Sequence, residues 1–140
     1  MAVIDGKDLI LGRLASVIAQ RILLGERIDV VNCENVVISG EKRMNIGKFK
    51  HKREIGTPST GPYYPKRPHM IVKRTVRGMV PYKQDKGKNA FKLLRCYIGI
   101  PAQFQGHKFE TFEKANVNKL PNFRFIRLKD ISIQMGAKLE

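Results

Sequence analysis

The stretch VIDGKDLILGRLASVIAQRILLGERIDVVNCENVVI, residues 3–38, decides the fold class. Val3-Ile4-Asp5 is a short strand candidate, and Gly6-Lys7-Asp8 turns the chain. From Leu11 the period changes. Leu11, Leu14, Ala15, Ile18 and Ile22 recur at three- and four-residue spacing, with Arg13, Gln20 and Arg21 on the other faces, which predicts an amphipathic helix. Gly25 stops it in the usual C-terminal manner. Ile28 to Cys33 is a compact apolar run, and Val36-Val37-Ile38 follows after one tight turn. Short β-branched runs, with a helix between the first and the second, read as buried strands of a mostly parallel sheet.

Further along, a second helix is expected from Glu41 to about Lys52, with Met44, Ile46 and Phe49 among its lysines. Gly56 to Pro68 holds four prolines and the pair Tyr63-Tyr64, so regular structure is not expected there. A long irregular loop inside a compact domain is uncommon, and is usually functional or disordered until a partner arrives. Pro68 suits the first position of a helix running to about Val76. Lys73, Arg74 and Arg77 fall on one side of that helix, Val72, Val76 and Met79 on the other, and Gly78 and Pro81 break it. Another helix is expected over Lys88–Leu94 and a strand over Cys96–Ile100. A short strand over Phe125–Leu128 and a short helix over Lys129–Met135, capped by Gly136, complete the expectation. This order implies one domain over residues 1–140, a three-layer α/β/α sandwich with helices on both faces of the sheet.

Charge gives the functional direction. Of 27 Lys and Arg residues, 16 lie between Lys42 and Arg95, against two acids, Glu54 and Asp85. The formal net charge is +15. Charge of one sign repels itself unless a polyanion answers it, and nucleic acid is the commonest polyanion in a cell. The candidate RNA-binding residues form a basic, proline-rich arm over about 48–88. They are Lys48, Lys50, Lys52 and Arg53, then Tyr63, Tyr64, Lys66, Arg67 and His69. Lys73, Arg74, Arg77 and Gly78 follow on the helix, and Lys83, Lys86 and Lys88 beyond it. Lys and Arg neutralise phosphates, while Tyr rings stack on unpaired bases. For Gly78 and Gly87 the competing explanation is plain helix-end and turn geometry.

Other chemistries find little support. Cys33, Cys96, His51, His69 and His107 lack the paired spacing of zinc sites, so no metal or cofactor is expected. No phosphate-loop or dinucleotide fingerprint is present. Two thiols far apart in sequence make no disulfide framework and suit a reducing, cytoplasmic compartment. There is no basic and then apolar leader and no membrane-length apolar run. A nucleic-acid enzyme would need acids that the arm hardly has. A protein-docking module could use Phe104, Phe109, Phe112 and Phe123 of the tail, which could equally cover the core.

Three stretches together resemble the universal large-subunit ribosomal protein thirteen family. They are Leu11-Gly12-Arg13-Leu14-Ala15-Ser16, Arg74-Thr75-Val76-Arg77-Gly78-Met79-Val80-Pro81, and Gly87-Lys88 followed by Leu93-Leu94-Arg95-Cys96-Tyr97-Ile98-Gly99-Ile100-Pro101. Gly61-Pro62-Tyr63-Tyr64-Pro65-Lys66-Arg67-Pro68 resembles the archaeal and eukaryotic branch. The lack of a long C-terminal helical extension points to an archaeal type. The resemblance implies an α/β/α domain on a four-stranded parallel sheet. It also implies binding to large-subunit ribosomal RNA, contact with neighbouring ribosomal proteins, support of subunit assembly, and no catalysis. Arg74, Arg77, Gly78, Lys83 and Lys88 are the RNA contacts that the matching motifs favour.

Overall fold

A computed structural model describes residues 1–139. The elements run β1 (Ala2–Asp5), α1 (Leu11–Leu23), β2 (Ile28–Val31), β3 (Val37–Ser39), α2 (Lys42–Glu54), α3 (Pro68–Met79), α4 (Asp85–Lys92), β4 (Leu94–Cys96), β5 (Phe125–Arg127) and α5 (Leu128–Gln134). Among the described residues no helix is long and apolar enough to cross a membrane.

The α1 helix forms as its spacing requires. Leu11, Leu14, Ala15, Ile18 and Ile22 are all buried. Gly25 takes φ +92°, Gly25 N–H donates to the Ile22 carbonyl, and Glu26 N–H donates to the Arg21 carbonyl. This double bond pattern is the Schellman stop, and the left-handed residue at its centre favours glycine. The Arg21 guanidinium then clamps Glu26 and Glu110, which holds its proton more tightly than in an ordinary arginine, chiefly through the Glu26 hydrogen bonds.

The sheet corrects the four-stranded expectation. Three parallel strands lie in the order β1-β2-β4, with Ala2 opposite Ile28 and Ile28 opposite Leu94. The β3 strand leaves this sheet and pairs antiparallel with β5, Val37 opposite Arg127. A parallel bridge between Ile10 and Val37 ties β3 to the segment that leads into α1. The layers differ too. Ile4, Ile28 and Val30 pack with α1 and α3 in the main core. On the opposite face Val3 and Val31 lie under Tyr97, Phe104 and Phe109, which belong to a segment with one 3₁₀ turn, Ala102–Phe104, rather than an α-helix. Phe104 is buried and Phe109 and Phe112 are half-buried, so those tail aromatics cover core; only Phe123 stands out in solvent.

Boundaries moved for physical reasons. The α3 helix continues through Gly78 to Met79, so Gly78 does not end it. The α4 helix starts at Asp85, not Lys88, with an acid in its positive first turn. It packs so tightly on the preceding turn that a Cβ at Gly87 would run into the Pro81 carbonyl. Leu94 therefore joins β4, which pairs with β2 and ends at Cys96; Gly99 (φ +65°) turns the rest of the expected strand away. The fold also brings the two cysteines together. Cys33 N–H donates to the Tyr97 carbonyl (3.2 Å), and a Cys96 hydrogen bond and burial push the Cys33 thiol up. Both thiols are free.

Candidate nucleic-acid interface

Part of the basic arm gathers around α3 in a set of adjoining clefts. Buried Ile71, Val72 and Val76 fasten α3 to the core. Its other side turns Lys73, Arg74, Arg77 and Gly78 outward, and α2 and α4 flank it. Four clefts run across this surface and share residues. One lies between α1 and α2 and is lined by Arg13, Lys48, Lys52 and Tyr64. The next holds Lys52, Tyr64, Arg74 and Gly78. A third, of about 480 Å³, holds Tyr63, Lys73, Arg74, Arg77 and Phe91. The last, towards α4, holds Arg77, Lys88 and Lys92.

Internal carboxylates answer almost none of this charge. Among the described residues the ion pairs are Arg21 with Glu26 and Glu110, Arg27 with Asp29, Arg127 with Asp8, and Lys88 with Asp85. Only the last involves the arm, at 3.9 Å between exposed side chains, where such a contact adds little. Aromatic rings hold three of the cations instead. The Lys52 ammonium sits 5.1 Å from the Phe49 ring centre and 5.0 Å from that of Tyr64. Lys73 lies 5.3 Å from the Phe91 ring and the Arg77 guanidinium 4.5 Å from Tyr82. Quadrupole attraction orients a cation without neutralising it.

The like charges are felt locally. Burial, and then the neighbouring Lys48, pull the Lys52 ammonium below the ordinary lysine value. Burial, then Arg67 and Lys73, pull His69 below the ordinary histidine value, so His69 is neutral at pH 7.

The remaining sequence-predicted residues divide clearly. Lys50, Arg53, Lys66, Arg67, Lys83 and Lys86 are exposed but line none of these clefts. Tyr64 is half-buried and packs edge-on against Phe49, with ring centres 5.8 Å apart; burial raises its phenol. Tyr63 is exposed. Sequence reasoning passed over Lys92, although it lies inside the Lys42–Arg95 charge block, and Phe91, whose aromatic neighbourhood with Lys73 appears only in three dimensions. A Cβ at Gly78 would meet nothing within 4 Å, so neither helix-end geometry nor internal packing requires a glycine there.

An α/β platform with one acid-poor cationic face defines a class: small basic proteins built to meet a polyanion. The family comparison narrows it. Residues 1–103 match the family model described as ribosomal protein L13. The chain is 44% identical over 138 residues to the large ribosomal subunit protein uL13 of Methanococcoides burtonii, covering 99% of each. It is 44% identical to the protein of that name from Archaeoglobus fulgidus, covering 97% of this chain and 88% of that one. For Methanosarcina barkeri the identity is 42%, with 99% of each covered. The chain belongs to the ribosomal protein L13 family and is of the archaeal type.

Proposed function

We propose that this chain is a structural, non-catalytic constituent of the large ribosomal subunit in the cytoplasm. Its α/β core is the platform, and the α2–α4 face binds large-subunit ribosomal RNA, supports subunit assembly and brings the chain against neighbouring ribosomal proteins. One observation carries the reading: the arm's cations point outward with a single weak carboxylate partner among them. Phosphates supply the missing charge, and contacts of this kind fix position and orientation rather than sequence. Two checks test it together. The tagged protein co-sediments with large subunits at moderate salt, and purified protein retains labelled large-subunit RNA without cleaving it. Sedimentation with the free protein pool, or cleavage of the RNA, overturns the reading.

A further inference from the structure

We infer that the cleft between Tyr63 and the α3–α4 pair receives one unstacked base of single-stranded ribosomal RNA, with its flanking phosphates on Lys73, Arg74 and Arg77. The inference rests on the RNA-binding role proposed for the same face. The cleft's volume, about 480 Å³, falls in the range of about 300–1,000 Å³ typical of clefts that enclose small ligands. Its apolar walls are Tyr63, Tyr64, Pro65, Met70 and Phe91, and every charged group that lines it is a cation. The occupant therefore has a flat apolar body with anions on either side. A nucleotide within a single strand has that chemistry.

Tyr63 makes the cleft a stacking site. Its residue is 74% exposed, yet it is held in place. The phenol donates to the Pro58 carbonyl at 2.6 Å. One ring edge lies over Gly61, close enough that a Cβ there would come within 3.2 Å of the Tyr63 Cε2 atom. A ring fixed in the open loses little rotamer freedom when a base stacks on it. Tyr64 is no equivalent, since Phe49 and the Lys52 ammonium already occupy its ring. Phe91 forms the far wall with Lys73 over it, which places a charge where a phosphate flanking the base would lie. Stacking of this kind tolerates any base, because every base has a π-face.

The test compares a short unstructured RNA oligomer with a blunt RNA duplex of equal phosphate count. The proteins are wild type, Tyr63→Leu and Tyr63→Phe, each checked for an unchanged melting temperature. A duplex keeps its bases stacked on one another, so it reaches the cations but not the ring. Tyr63→Leu is expected to weaken oligomer binding about 5- to 150-fold. Duplex binding stays within about twofold, and Tyr63→Phe, which keeps the ring but loses the hydrogen bond to Pro58, falls between wild type and Tyr63→Leu on the oligomer. Equal losses on both probes, or no loss on either, overturn the stacking assignment while leaving RNA binding standing. A wild-type protein that binds neither probe overturns the RNA reading, and this inference with it. In intact large subunits, a photoreactive side chain at position 63 is expected to cross-link to ribosomal RNA. A cross-link to a protein neighbour instead identifies a different occupant and overturns the assignment.

Discussion

Replacing Gly78 with alanine sets the helix against its partner. Gly78 lies one residue from the end of α3, exposed, beside Lys52 and Arg74. Nothing within 4 Å opposes a new methyl group, so the free protein has no use for glycine at this position. Alanine there restricts the unfolded chain and favours the helix, worth about 0.5–1 kcal/mol in a helix interior and nearer the lower figure this close to the end. For a chain of 140 residues that raises the melting temperature by roughly 2–3 °C. A phosphate backbone seated against α3 meets the methyl as overpacking, which costs about 1–3 kcal/mol, or roughly tenfold in affinity near the middle of that range. Thermal melting of the free protein and filter retention of large-subunit RNA read the two effects separately. The expected result is a stabler protein that binds more weakly. A variant that melts higher and binds RNA as well as wild type refutes close approach at Gly78. One that melts lower refutes the claim that the space is empty.

The contrasting glycine behaves the other way: Gly87→Ala drives a methyl into the Pro81 carbonyl, costs about 1–3 kcal/mol and lowers the melting temperature by roughly 3–10 °C. Arg21→Ala opens the clamp on Glu26 and Glu110, so the melting temperature falls modestly while RNA affinity is unchanged; a parallel loss of RNA binding would mean the cationic face extends beyond α1. His69 titrates below its unfolded value of about 6.5, so between the two values the unfolded chain binds more protons and stability rises with pH. The wild-type melting temperature therefore drops on going from about pH 7.5 to pH 5.5 by more than that of His69→Gln. Identical drops would show that His69 feels neither burial nor its cationic neighbours.

The parts of the fold legible in the sequence are those set by neighbours close along the chain. The α1 spacing and the Gly25 stop are local patterns, and both formed as read. So did the α5 helix and the left-handed Gly136 after it. The misreadings involve partners far apart. The β3 strand looks like any β-branched run, and nothing near it announces that β5, almost ninety residues on, takes it antiparallel out of the main sheet. Leu94 fits a helical pattern with Ala90, but its register opposite Ile28 gives it to β4. The site follows the same division. Charge density located the arm, since no carboxylate interrupts it apart from Glu54 and Asp85. Composition could not separate Tyr63 from Tyr64. One ring is buried against Phe49 and the other is pinned in the open, and only the packing of α2 against the loop distinguishes them.

The central claim is that outward cations on the α2–α4 face take their counter-charge from RNA phosphates. Its most direct test is the salt dependence of retention for wild type and for a variant with Lys48, Arg74, Lys88 and Lys92 all replaced by Gln. These four side chains are exposed, so the melting temperature should hold. If the wild type engages about eight phosphates, log affinity falls against log salt with a slope near −6, and the variant's slope is shallower by about 3. A variant whose slope matches wild type would contradict the account, because the charges then answer to something other than the RNA.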